Sequence, residues 1–212
     1  MNKPLEIRQL RLGPMANFIY IVFCPTTREA ICIDPAWDSK FIVDEIESND
    51  LTVTGIFLTH EHHDHVNAVA DLLGYYSVPI YASTDSTYSD FPFEGLTNQS
   101  TLQLGNLQLT VYLTPGHSPG GMCIYSEPHL FTGDTLFVDG CGRCDLVGSD
   151  VHEMYNSLFN IISSFPNSTI VYPGHDYGPK PSDTLRNQYQ KNRFFQSNSK
   201  STFIRKRLGF ST

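Results

Sequence analysis

Positive charge is scarce over most of this chain: between Lys40 and Lys180 the only lysine or arginine is Arg143. Residues 1 to 179 carry 21 acids against six bases, whereas residues 180 to 212 carry eight bases against Asp183 alone. A broad basic face for neutralising phosphates is missing, which argues against general nucleic-acid binding. No run reaches the roughly 18 consecutive apolar residues of a membrane helix, so no membrane association is expected. The start, MNKPLEIRQLRLGPMANFIYIVFC, lacks a basic flank before its apolar run and a small-residue cleavage site behind it, so no signal peptide is expected. Cysteine is limited to Cys24, Cys32, Cys123, Cys141 and Cys144, an odd and scattered set that fits a reducing cytoplasm better than a disulfide framework. Cys141 and Cys144 make one C-x-x-C, but with no second pair and no thioredoxin-like context the spacing reads as packing. Internal repeats and low-complexity segments are also absent.

What is present suits one globular domain over 1–212, ending in a short basic tail from about 180 to 212. The tail reads as a solvated, mobile segment lying against the acidic body; the sharper alternative is an anion-gripping wall for a carboxylate-bearing substrate. Short β-branched or aromatic runs at 17–24, 30–33, 53–58, 79–82, 122–125 and 168–172 predict strands. The segment TLQLGNLQLTVYL alternates apolar and polar residues about Gly105-Asn106 and predicts a hairpin. Helical spacing occurs at 38–48, 66–74 and 151–165, the last with Asp150 and Glu153 placed as a capping box. Ser83 to Ser100 reads as a long loop. This order predicts an α+β fold, an αββα sandwich of two mixed β-sheets packed together with helices outside.

The run Thr59-His60-Glu61-His62-His63-Asp64-His65 follows a predicted strand and precedes a predicted helix. His60 and His62, two apart in extended backbone, share one side, while Asp64 and His65 turn toward a second position as the helix begins. A solvated histidine-rich turn is the bland alternative. Three further segments, LTPGHSPGG, LFTGDTLF and IVYPGHDYG, each end an apolar strand in a polar residue beside glycine, namely His117, Asp134 and His175. Together they allow His60, His62 and His117 to hold one metal and Asp64, His65 and His175 another, with Asp134 bridging. His63, His129 and His152 are left over and read as surface residues or as supports behind the ligands.

With these motifs the chain resembles the metallo-β-lactamase superfamily, and within it the glyoxalase II-like, or hydroxyacylglutathione hydrolase-like, compact hydrolases. The resemblance rests on Asp34 in CIDPA, then T-H-x-H-x-D-H, P-G-H-S-P-G, F-T-G-D-T-L-F and P-G-H-D-Y in order. It implies that Asp34 steadies ligands from behind. The segment GCGRCDLVGSD departs from the G-C-G-[KR]-[FY] pattern of full-length glyoxalase II and is closer to the G-R-x-D loop of compact relatives and persulfide dioxygenases. Arg143 and Asp145 are the matching residues, Asp145 as a supporting group. The segment after the last ligand is also too short for the glutathione-gripping helical domain of full-length glyoxalase II.

The resemblance implies a cytoplasmic metallo-hydrolase with two divalent ions, zinc first and iron or manganese as alternatives, acting on a small molecule. The implied substrate is a glutathione thioester such as S-lactoylglutathione, attacked by a hydroxide held between the metals. Asp64 is the candidate to orient that hydroxide and move a proton, and Arg143 to contact a substrate carboxylate or to order the metal loop. The alternative reaction is that of a persulfide dioxygenase acting on glutathione persulfide, with one iron held by His60, His117 and Asp134. Oligomeric state is not legible.

Overall fold

The computed structural model of the chain describes residues 4–209. Strand β2 (Asn17–Phe23), the second after β1 (Glu6–Leu12), is buried along its whole length, so its sheet must carry an apolar layer on each face. Alternate side chains divide between the layers. Ile19, Ile21 and Phe23 face Ile42, Ile46, Val69 and Leu72, while Phe18, Tyr20 and Val22 face Leu109, Val111, Ile124 and Phe131.

The first sheet runs in the order β1, β2, β3 (Glu29–Ile33), β4 (Thr52–Phe57), β5 (Ile80–Ser83) and β6 (Glu94–Leu96). Its first three strands are antiparallel, and β3 to β6 are parallel. Helix α1 (Ser39–Ser48) starts where the Asp38 side chain accepts from Phe41 N. It lies on the outer face with α3 (Val69–Tyr75), which follows a single helical turn, α2 (His63–Val66). The helix read at 66–74 is thus split, with its first turn moved into the histidine run.

The second sheet contains the predicted hairpin β7 (Thr101–Leu104) and β8 (Leu107–Leu113), then β9 (Met122–Ser126) and β10 (His129–Gly133). A small ribbon, β11 (Leu136–Phe137) and β12 (Gly140–Cys141), leads out of it. The sheet is completed by β13 (Ile170–Pro173), parallel to β10, and β14 (Asp183–Thr184). Its outer face packs on α4 (Val151–Asn156), which widens into a π turn over Ser157–Ile161 and a short 3-10 turn over Ile162–Ser164. Asp150 caps α4 by accepting from His152 N and Glu153 N. Two mixed sheets face to face with helices outside make the expected αββα sandwich.

Two local expectations are corrected. The stretch Ser83–Ser100 contains β6, a three-residue strand at the sheet edge that is too short to show a period. The basic segment is not merely a solvated tail: it folds into α5 (Leu185–Lys191) and α6 (Lys200–Leu208), and Leu185, Phe194 and Phe203 are fully buried in the third core layer. Cys141 and Cys144 are buried in the same layer as free thiols, and burial pushes each up to about 12. Among the described residues no helix is long and apolar enough to cross a membrane.

Candidate metal centre

Every candidate ligand sits at one edge of the sandwich, where the parallel strands of both sheets end, the position at which α/β sheets form ligand crevices. The loop after β3 carries Asp34, the loop after β4 carries Thr59 to His62, the loop after β10 carries Asp134, and the loop after β13 carries His175. The single turn of α2 adds Asp64 and His65, and the loop between β8 and β9 adds His117. Glycine is required at position 174, because a Cβ there would run into Asp134 Oδ1 and His65 Cε1.

The ligand atoms of His60, His62 and His117 all lie within 4.8 Å of one another, and so do those of Asp64, His65 and His175. Asp134 reaches both groups. Its Oδ2 is 3.4 Å from His117 Nε2 and 3.4 Å from His175 Nε2, and its Oδ1 is 3.4 Å from His65 Nε2. The structure brings together the residues that the sequence analysis names for each set, with Asp134 beside both.

Hydrogen bonds behind the rings decide which nitrogen faces inward. His117 Nδ1 donates to the Arg143 carbonyl at 2.9 Å, and His175 Nδ1 donates to the Met15 carbonyl at 2.9 Å. His65 Nδ1 is held 3.0 Å from Asp34 Oδ2. Thr59 donates its hydroxyl to Asp34 at 2.6 Å and so is left to accept from His60 Nδ1 at 3.1 Å. In all four rings Nε2 is the inward nitrogen.

This donor set fits divalent cations. His60 Nε2, His117 Nε2 and Asp134 Oδ1 are buried without any hydrogen-bond partner, a costly state unless a cation satisfies them. Nε2 of His65 and of His175 stand 3.1 Å apart, where two lone pairs repel unless a positive charge lies between or beside them. The electrostatics of the metal-free site point the same way. Burial and the neighbouring His65 hold His60 well below the usual histidine range, keeping it neutral. Burial opposes a charge on His65, but the carboxylates of Asp134, Asp34 and Asp64 override it and push its pKa up to about 9. Burial would raise the Asp134 carboxyl, yet His65 and His175 hold it well below the usual carboxylate range. The site therefore retains a proton where a stronger cation fits.

The supporting residues fall into two kinds. Asp34 accepts from Thr59 N at 2.7 Å as well as from the Thr59 hydroxyl, so both its oxygens are engaged behind the site. Asp145 touches no candidate ligand side chain; it holds the exposed Arg143 guanidinium through two bonds of 2.9 and 3.0 Å. Arg143 contributes its carbonyl to His117 and its side chain to the rim of the cleft. His63 is exposed but lines the cleft beside His62 and Asp64, His152 is exposed, and His129 is half-buried in β10.

Three contributors carried no signal in the sequence, and a fourth, Tyr177, entered it only as the last residue of the P-G-H-D-Y motif. Asn17, which is buried, donates to Asp64 Oδ2 at 2.9 Å and to the Asp64 carbonyl at 3.0 Å, and accepts from Trp37 Nε1 at 2.8 Å. The Met15 carbonyl holds His175, Phe137 meets the His175 ring edge-on, and Tyr177 stacks on that ring. An asparagine opening a strand and a backbone carbonyl have no composition or period to read; only the tail of the PGHDYG segment pointed toward Tyr177.

The profile described as Metallo-beta-lactamase superfamily matches residues 12–175. Over 210 residues the chain is 35% identical to the "Probable polyketide biosynthesis zinc-dependent hydrolase BaeB" of Bacillus velezensis, covering 96% of this chain and 93% of that protein. It is 35% identical over 172 residues to the hydroxyacylglutathione hydrolase of Tolumonas auensis, covering 80% of this chain and 66% of the relative. Its fold superposes on the crystal structure of ETHE1 from Myxococcus xanthus with a TM-score of 0.90 at 27% identity, covering 98% of this chain and 92% of that one.

Proposed function

Because the chain belongs to the metallo-beta-lactamase superfamily, we propose that it is a metal-dependent hydrolase that cleaves a thioester, specifically a glutathione thioester, with S-lactoylglutathione as the simplest test substrate. The observation that carries this reading is the division of six donors into two groups of three, both within reach of a seventh, Asp134. His60, His62 and His117 would hold one divalent ion and Asp64, His65 and His175 a second, with zinc first and iron or manganese as alternatives. Ions bound there supply Lewis acidity, which draws the pKa of a water toward about 7 and polarises a carbonyl oxygen. The names of the relatives, a zinc-dependent hydrolase and a hydroxyacylglutathione hydrolase, support hydrolysis.

The chain's own residues have separate tasks in this reaction. Asn17 donates to Asp64 Oδ2 and fixes the carboxylate, which accepts the proton of the attacking water. Arg143 stands on the rim as the cation for a substrate carboxylate. No protein acid is needed for the leaving group, because a thiol with a pKa of about 8.5 departs readily as thiolate. The protein acts as one domain on a small molecule, and its five buried free thiols support a cytoplasmic setting.

One observation favours a second reaction. The site atoms without partners, His60 Nε2, His117 Nε2 and Asp134 Oδ1, make up a two-histidine, one-carboxylate set of the kind that holds a single iron, as a persulfide dioxygenase would require. Elemental analysis of the purified protein, with thioester cleavage measured without oxygen and oxygen uptake measured with glutathione persulfide, separates the two. About two metal ions per chain with anaerobic thioester cleavage is the expected result. One iron per chain, oxygen uptake and no cleavage would overturn the hydrolase.

A further inference from the structure

The cleft that opens onto the metal centre, about 330 Å³, is lined by side chains of two different chemistries. Beside His175 stand three large side chains. Tyr177 lies flat on the His175 ring, centroids 4.5 Å apart at 6°. Phe137 meets the His175 and Tyr177 rings edge-on at 5.8 and 5.4 Å. Met15, anchored through its carbonyl to His175 Nδ1, completes the wall. The lining also includes Leu146 and Arg143, whose backbone carbonyl holds His117 and whose guanidinium, paired with Asp145, is the only cationic side chain lining the cleft apart from the histidines.

Tyr177 is 57% and Met15 45% exposed, two of the few large apolar side chains that the described surface leaves in water. Tyr177 is held by ring stacking and the Met15 backbone by its carbonyl, within a crevice that already holds the reactive edge. An apolar surface kept open at such a place fits an apolar ligand group. A thioester has two halves. The charged lining suits the thiol-bearing half of a glutathione conjugate, whose carboxylates need Arg143, and this leaves the Tyr177 side for the acyl half.

We propose that Met15, Phe137 and Tyr177 form an acyl-chain pocket, and that the substrate is a thioester of an apolar acyl group several carbons long rather than of a short hydroxy acid. The assignment rests on the thioester reading. Covering a methylene contributes up to about fourfold in affinity; the wall is open on one side, so roughly two- to fourfold is expected per carbon.

Two measurements on the metal-loaded protein test this. Binding of S-methyl-, S-butyl- and S-hexylglutathione, which cannot be hydrolysed, is followed by calorimetry, and kcat/KM is measured for acetyl-, lactoyl-, butyryl- and hexanoylglutathione. Affinity is expected to rise at least about thirtyfold from methyl to hexyl, with kcat/KM following the same trend. Tyr177→Ala, and separately Met15→Ala, which keeps the carbonyl that holds His175, should each cut the preference for hexanoyl over acetyl at least about fivefold. Equal affinity from methyl to hexyl, or lactoyl as the best acyl group, would overturn the pocket. Chain-length-dependent binding with no thioester cleaved would uphold the pocket and remove the thioester reading instead.

Discussion

Asp34 is held at φ 51°, in the left-handed region, and from there its two oxygens accept from Thr59 N and the Thr59 hydroxyl and orient His65 Nδ1. Asp34→Asn keeps the shape but replaces one accepting oxygen with a donor, so one of these contacts becomes repulsive. Zinc affinity, read by competition with a coloured chelator, is expected to fall about ten- to hundredfold; unchanged affinity would remove Asp34 from the support of the site. His65 gives a pH test. In the metal-free protein its pKa rises to about 9, above the unfolded value of about 6.5, so the folded state binds the proton more tightly. That contribution to stability is full below pH about 6.5 and is lost as pH rises through about 9. Chelator-treated protein should therefore lose thermal stability between these values more steeply than chelator-treated His65→Gln. Parallel curves for the two proteins would show that no such proton is held.

Helices α5 and α6 show why a basic composition misleads. The guanidinium groups of Arg193 and Arg207 lie 4.7 and 5.5 Å from the Phe194 ring centroid, so cations that read as a solvated tail are a cover over buried aromatics. Phe203, fully buried, meets Tyr155, Phe159 and Phe194 at ring separations of 5.5 to 5.9 Å. Phe203→Ala is expected to destabilise the whole chain by about 3–5 kcal/mol in urea unfolding. A loss under about 1 kcal/mol, within the range of surface substitutions, would mean that the element is peripheral after all. The same packing makes truncation after Tyr177 a test of folding rather than of charge. Gln188 in α5 accepts from Asp139 N, and Asn192 just after the helix donates to the Gly140 carbonyl, tying this segment to the ribbon that bears Phe137 on the rim of the cleft.

At the scale of the molecule, the candidate ligands come from loops of both sheets, so a cation at this edge links the two halves of the sandwich. Metal that binds the folded state alone adds RT ln(1 + [L]/Kd), about 2.7 kcal/mol at a hundredfold excess over Kd. The melting temperature is expected to fall on exhaustive chelation and to recover on adding zinc. Identical melting curves for the chelated and zinc-treated protein would show that the cluster is not a site coupled to folding.

How much was legible beforehand follows from the range of each signal. The histidine run, the three glycine-flanked ligand loops, the hairpin at Gly105-Asn106 and the buried strands are written in local spacing, because strand and helix periods put a side chain on one face before any tertiary contact forms. That spacing was enough to anticipate two sheets and to nominate His60, His62, Asp64, His65, His117, Asp134 and His175 as candidate ligands. Tertiary structure alone brought Asn17 to Asp64, the Met15 carbonyl to His175 and the Arg143 carbonyl to His117, across separations of 47, 160 and 26 residues. It also decided that a tail dense in lysine and arginine would bury Leu185, Phe194 and Phe203 in the core. A hydrogen bond or a stacked ring between distant segments leaves no period in the chain, and a long cationic side chain shows its charge in the sequence while hiding the apolar stem that does the packing.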